Sequence, residues 1–202
     1  VISEVINDLL VRKYGRRDCH LINNGVSEPE VCDYPEYFNE LGIEKGKYIL
    51  GMCRFVPEKN LHHLVEAFAG ICDFEDDYSH SLKKRSRECG VVLTGFIKGR
   101  KLHSLLANAC CFVLPSSHEG LPIALLEAMS YKLPVIVSNI PANMEVGLPY
   151  SCYFKVGDVE QLQEKLEEQM EQGLRRIEYD MSLYNWDVIA KQVIDVYKLV
   201  LQ

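Results

Sequence analysis

The chain has 202 residues, enough for one large domain with a proper core. Its 22 Lys and Arg against 29 Asp and Glu give a net charge of -7, which argues against a general affinity for nucleic acid or anionic membrane and leaves room for a local basic site around a small phosphate ligand. No apolar run reaches the roughly 18 residues of a membrane span, no basic-then-apolar leader opens the chain, and the eight cysteines show no Cys-x-x-Cys pair, so they read as reduced core thiols of a cytosolic protein.

Apolar residues at 2, 5, 6, 9 and 10 have a helical period, and Gly15 should stop that first helix. Cys19 to Ile22 reads as a short strand, and Asn23-Asn24-Gly25 as a turn, because Asn and Gly tolerate positive φ. Ser27 to Gly46 reads as a connecting loop with one helical piece around Tyr37 to Leu41. Lys47 to Cys53 is a strand ending in Arg54, and Leu61, Leu64, Val65 and Phe68 mark one face of a helix after it. A second strand, Val91 to Gly95, leads through the basic loop Lys98-Gly99-Arg100-Lys101 to a helix carrying Leu102, Leu105, Leu106 and Ala109.

From Phe112 to Asn139 the pattern is strand, polar loop, helix and strand without a break: the strand ends at Leu114, the helix runs from about Pro122 to Tyr131, and Val135-Ile136-Val137 follows. Tyr153-Phe154 is a short strand, Asp158 an N-cap for a charged helix from Val159 to about Gln172, and Tyr184 to Leu201 a final helix. Strands alternating with helices predict an α/β fold with a Rossmann-like, mostly parallel sheet and helices on both faces. Ligands of such sheets gather at the carboxyl ends of the strands, so the loops at 54 to 60, 96 to 100 and 115 to 121 share one rim.

Two features of that rim suit a phosphorylated ligand. Arg54 and Lys59 flank the first loop, with Asn60 placed to cap the helix beyond, and a planar fork beside a compact ammonium could hold a diphosphate; taken alone, both could equally be surface charges near Glu58. In the third loop Gly120 and Pro122 leave the first helical amides unpaired at the positive end of a helix dipole. Glu119 and Glu127, eight apart, could approach one ligand from two sides, or could be two solvated glutamates.

The residues around that pair carry a resemblance. Ser116-Ser117-His118-Glu119-Gly120-Leu121-Pro122-Ile123-Ala124-Leu125-Leu126-Glu127-Ala128-Met129, followed by Lys132 to Val137, resembles the donor-site signature of family-four retaining glycosyltransferases. Asn24-Gly25-Val26, Arg54 to Asn60 and Val92 to Ile97 resemble further motifs of that family in the same order, so the likeness covers nearly the whole chain. It implies the C-terminal half of a GT-B fold: a nucleotide-sugar donor-binding domain over 1–202, with 1–30 as interdomain connection and 184–202 as a terminal helix that packs toward an N-terminal domain. By the same resemblance, Arg54 and Lys59 neutralise the donor diphosphate, Glu127 binds ribose and Glu119 faces the transferred sugar as the catalytic residue. Gly120, Leu121 and Pro122 bring amides near sugar and phosphate, Ile97 meets the nucleobase by its backbone, and His118 is a candidate sugar contact beside its alternative as a scaffold residue.

The activity implied is transfer of a hexose from a nucleoside-diphosphate sugar with retention, without metal or other cofactor, in cell-surface polysaccharide or glycoconjugate synthesis. The partners implied are the nucleotide sugar and the chain's own N-terminal acceptor domain, with no nucleic acid. The location implied is the cytoplasm, or the inner face of the membrane as a peripheral protein. A non-catalytic nucleotide-sugar binding module is the alternative. A dinucleotide oxidoreductase is disfavoured, because no Gly-x-Gly-x-x-Gly follows any strand. Two departures stand out: the chain is read as lacking the acceptor domain, hence inactive alone, and no apolar strand separates Ala69 from Gly70. The second reads as a missing stretch, since loss of a central parallel strand exposes its neighbours; a gap there in place of the usual Cα spacing of about 3.8 Å is expected. Elsewhere, His62-His63 lack ligand spacing for a metal, Cys110-Cys111 read as packing, Glu160 to Glu171 as a solvated face, and Trp186 as either core or interdomain packing.

Overall fold

The computed structural model describes every residue except 31, 55, 64–67, 72–90 and 202, and of 63 and 68–71 only the backbone. Its centre is a parallel five-stranded sheet in the order β2-β1-β3-β4-β5, built from β1 (Ile49–Arg54), β2 (Phe68–Ile71), β3 (Cys111–Leu114), β4 (Val135–Ser138) and β5 (Tyr153–Phe154). Described helices are α1 (Glu4–Tyr14), α2 (Pro35–Leu41), α3 (Arg100–Asn108), α4 (Ile123–Ser130), α5 (Pro141–Met144), α6 (Val159–Gln172) and α7 (Trp186–Val200).

Alternation along the buried strands divides the core in two. Leu50, Phe112, Leu114, Val135 and Val137 face Leu105 and Leu106 of α3 and Leu125, Leu126 and Met129 of α4, with Tyr37 and Phe38 of α2 behind them. Ile49, Cys111, Val113, Ile136 and Phe154 face the other way, onto Leu162, Leu166 and Met170 of α6. Both faces of the sheet are thus covered, which is why the strands are continuous apolar runs rather than alternating ones. Cys110 and Cys111 are fully buried, as packing residues should be.

Local signals set several boundaries, Gly15 and Asp158 as expected and Ser3 and Asn185 in addition. Ser3 accepts from the Ile6 amide at the start of α1, and Gly15 closes it in the left-handed region at φ 67°. Asp158 accepts from the Gln161 amide at the start of α6, and Asn185 does the same for Asp187 and Val188 at α7. In α7 only Ile189 is buried; Trp186, Tyr197 and Leu199 stand more than half exposed.

Four expectations fail. Cys19 to Ile22 forms no strand: its Ile22 amide bonds instead to the Val1 carbonyl, against the N-terminus rather than the sheet. Leu61–His63 is a single 3-10 turn, Leu64 and Val65 lie outside the described residues, and Phe68 belongs to a strand, so the apolar spacing here does not make one helix through Phe68. That strand also removes the expected break: Phe68, Ala69, Gly70 and Ile71 pair in unbroken register with Gly51, Met52, Cys53 and Arg54, so the junction itself covers the edge of β1. Val91 to Gly95 forms only an isolated bridge at Leu93, with Gly95 at φ 65° turning the chain away before a ladder can extend.

Gly25 is needed for another reason than the one its Asn-Asn-Gly context suggests. Its φ is not positive; instead, an added Cβ would lie 2.4 Å from Trp186 Cδ2, so the indole of α7 packs directly on the Gly25 backbone. The next amide, Val26 N, donates to Tyr184 O at 2.9 Å and ties the segment after Gly25 to the turn before α7. Gly25→Ala should therefore destabilise the fold by about 1–3 kcal/mol, the usual cost of forcing a group into an occupied site. Because Trp186 is the sole tryptophan, its emission should shift to the red in that variant. An unchanged denaturation midpoint and spectrum would contradict this packing.

Candidate functional site

From β1 the chain passes to the edge strand β2, and β3 returns on the other side of β1. The loops leaving β1 and β3 therefore diverge from adjacent strand ends, and the crevice between them is where an open parallel sheet binds ligands. A cavity of about 280 Å³ lies at this rim, lined by Met52, Cys53 and Arg54 from the end of β1, Gly95, Phe96 and Ile97 from the next loop, Leu102 of α3, and Ile123, Ala124 and Glu127 of α4. Three of the expected ligand residues, Arg54, Ile97 and Glu127, thus share one pocket.

Glu127 is half-buried, and that desolvation raises its carboxyl above the ordinary glutamate range, with His103 opposing the shift. Burial of an acid disfavours its charged form, and a polar ligand offering hydroxyl donors would restore what burial removed. Cys53 beside it is likewise held as a thiol by burial.

The other expected residues form a second cluster next to the pocket. Lys59 ends a 3-10 turn (Pro57–Lys59), and its Nζ lies 2.6 Å from Glu119 Oε1, both side chains being little exposed, 12% and 13%. The same oxygen accepts from Ser116 Oγ at 2.7 Å, and Lys59 Nζ also approaches His118 O at 3.4 Å. Two further ties join the loops: Ser117 N donates to Glu58 O at 2.7 Å, and Asn60 Nδ2 to Pro115 O at 3.0 Å. Asn60 closes the 3-10 turn as its C-cap. It sits in the left-handed region at φ 50° and spends its side chain on the β3 loop.

Lys59 and Glu119, assigned by the sequence to different parts of a ligand, are thus each other's partners. Glu119 Oε2 accepts no hydrogen bond from a described residue. At the start of α4, the Ile123 amide turns back onto Leu121 O, and Leu125 and Leu126 both use Pro122 O. The amides of Gly120, Leu121 and Ala124 carry no hydrogen bond to a described residue, so the positive end of the eight-residue α4 keeps donors for an anion. Leu121 and Pro122 are buried, His118 is exposed, and Ile6 of α1 packs over Gly120, 3.6 Å from where a Cβ would be.

The remaining cations of the rim lie elsewhere. Arg100 stacks over Tyr34 at 5.1 Å and Lys101 over Tyr37 at 4.2 Å, so the first turn of α3 braces the start of α2. Sequence reasoning passed over Met52 and Cys53, although they end a central strand and the strand-end rule could have found them. It also passed over Ser116, whose only signal is its place three residues before Glu119. Nothing local marks Glu145, which caps α1 by accepting from Glu4 N at 2.6 Å and Val5 N at 3.3 Å.

Comparison with known proteins gives this arrangement a family. Residues 33–183 match the family model described as glycosyl transferases group 1. An uncharacterized glycosyltransferase of Methanocaldococcus jannaschii is 27% identical over 183 residues, spanning 82% of this chain and 45% of that protein. The O-antigen chain mannosyltransferase B of Escherichia coli is 28% identical over 174 residues, spanning 75% and 46%. This chain therefore spans about half the length of the curated relatives it matches. Among solved structures, a glycosyltransferase from Rickettsia africae superposes with a TM-score of 0.82 at 15% identity, covering 100% of this chain and 62% of that one. HepE of Anabaena, in complex with UDP and glucose, does so at 0.79 and 18%, covering 97% and 61%. These likenesses show a GT-B-type, Rossmann-like domain, and the family match over most of its length establishes that the chain belongs to the group 1 glycosyltransferases.

Proposed function

We propose that this chain is the donor-binding domain of a retaining glycosyltransferase that takes a hexose from a nucleoside-diphosphate sugar. The observation that carries the reading is the convergence of Arg54, Ile97 and Glu127 on one rim cavity, beside the Lys59–Glu119 pair and the amides at the start of α4 that no described residue fills. In this reading the nucleoside lies between Ile97 and Glu127, whose carboxylate accepts from the ribose hydroxyls. Arg54 and the α4 amides stabilise the charge that develops on the departing diphosphate, the kind of preorganised donor set that favours a transition state over a ground state. Glu119 offers Oε2 to the transferred sugar, and His118 stands at the exposed edge of the same loop. Such a site neutralises the leaving group with protein charges and so needs no metal or other cofactor.

The acceptor belongs to a second, N-terminal domain, with 1–30 as the connection and α7 packing toward it. The exposed Trp186, Tyr197 and Leu199 of α7 supply an apolar surface for that contact. Supporting this, the chain spans 45% and 46% of two relatives named as a glycosyltransferase and a mannosyltransferase. Those named for O-antigen chain mannosyl transfer in Escherichia coli and Salmonella typhimurium support a role in cell-surface polysaccharide synthesis. Among the described residues no helix is long and apolar enough to cross a membrane, which suits a cytoplasmic enzyme that meets the membrane only peripherally.

Calorimetry against UDP, GDP and ADP should find one of them bound by this chain, with Arg54→Ala weakening it about 10- to 100-fold, as loss of a charge-assisted hydrogen bond of roughly 1.5–3 kcal/mol requires. Absence of binding at millimolar concentration would remove the donor site. Glu127→Gln separates function from stability by sign. Burial raises the Glu127 carboxyl, so the native state is favoured below the carboxylate range and loses that contribution as pH rises through the folded value. The variant should thus melt higher than the parent at pH 7, with the gain vanishing in acid, while its nucleotide affinity falls about tenfold. A lower melting midpoint at pH 7 would contradict this effect of burial on the carboxylate.

A further inference from the structure

Glu119 is held by more than its ion pair. Ser116 is fully buried, and its hydroxyl has one proton, which goes to Glu119 Oε1 at 2.7 Å. The main chain of Ser116 is fixed from the opposite side, because Ser138 Oγ at the end of β4 donates to Ser116 O. Ser138 has then used its only proton, so its oxygen is an acceptor, and Asn143 Nδ2 of α5 fills it at 3.1 Å while also reaching Ser138 O at 2.9 Å. Asn143 is itself anchored by Tyr153 OH, which donates to its carbonyl at 3.2 Å and accepts from Leu148 N at 3.1 Å. Ser116, Ser138 and Asn143 show no exposed surface, and Tyr153 only 8%. The direction of every bond follows from counting protons, and the line runs from β5 and α5 through the end of β4 to one oxygen of Glu119.

We propose that Ser116, held by Ser138 and Asn143, is a positioning residue that fixes Glu119 Oε1 so that Oε2 stays presented to the donor sugar. Lys59 cannot perform this alone. Its ammonium sits on a flexible stem with rotatable donors, and an arriving diphosphate competes for it; a carboxylate tied only to Lys59 would move with it. A buried hydroxyl with a single acceptor has no such alternative, and the Ser116 carbonyl is fixed by a second buried hydroxyl, while Asn143 Oδ1 at the far end of the line has no partner among the described residues. The inference rests on the donor-site reading above and adds to it what keeps the sugar-facing carboxylate in place.

Calorimetry with the whole chain, using UDP, GDP and ADP and the glucose conjugate of each, separates the two. The readout is the ratio of affinities for conjugate and parent diphosphate, which does not depend on the fraction of protein folded. Ser116→Ala should lower that ratio about tenfold while diphosphate affinity stays within about twofold, and Ser138→Ala should lower it about threefold. In a Glu119→Gln background Ser116→Ala should add nothing, since coupled residues are not additive. An unchanged ratio, or a loss of the same size in the Gln background, overturns the proposal. If the parent chain binds no diphosphate, the functional reading fails and amide exchange decides the positioning role by itself. The Ser117 amide, bonded to Glu58 O across the two loops, should exchange about tenfold faster in Ser116→Ala; an unchanged rate rejects the role.

Discussion

One ion pair, Lys59 to Glu119 at 2.6 Å, makes a single site from two loops that are 60 residues apart in the chain. Removing two charges from water is expensive, and mutual attraction offsets that only when the remaining polar atoms are also satisfied. Here Ser116 supplies a second donor to the carboxylate, His118 O lies near the ammonium, and the main-chain ties from Ser117 and Asn60 hold the loops at the distance the pair needs. Loss of either partner would strand a buried charge, an effect of about 3–5 kcal/mol in comparable cases. The cavity walls depend on it too, because Arg54 leads into the first loop and Ile123, Ala124 and Glu127 follow the second.

The sheet order supplies the setting. With β1 between β2 and β3, the chain reverses direction across the sheet at β1, and the two loops leave adjacent strand ends on opposite paths. A crevice therefore exists before any functional side chain is placed in it. Burial on both faces keeps the strand ends rigid, and α4 begins at the crevice with the Gly120, Leu121 and Ala124 amides bonded to no described residue. Glu127 is the strained member of this set: its burial disfavours its charge, the kind of local destabilisation expected where a ligand completes the environment.

Much of this was legible because it is local. Gly15, Asp158 and the uninterrupted run from Phe112 to Asn139 carry their own caps, periods and turns, and the structure follows them closely. The failures concern short apolar runs, whose fate depends on distant partners. Phe68–Ile71 pairs with β1 although its residues continue a helical spacing, and Val91 to Gly95 lacks a ladder although its composition suits one. Gly25 looked like a turn residue because the dipeptide context is local, whereas the indole that requires it lies 161 positions later in α7. The site divides in the same way. Residue types at the rim were readable, and the resemblance grouped them, but that Lys59 answers Glu119 rather than only a ligand phosphate is a fact of tertiary geometry. The line from Asn143 through Ser138 to Ser116 has no sequence signature at all.

The central claim is that the rim cavity and the Lys59–Glu119 cluster are two parts of one nucleotide-sugar site. A crystal structure of this chain soaked with the nucleoside diphosphate it binds would test it most directly. The account predicts a nucleoside between Ile97 and Glu127, with the diphosphate against Arg54 and the Gly120–Leu121 amides. A nucleotide bound away from this crevice, or seated in it with its phosphates pointing away from α4, would contradict it.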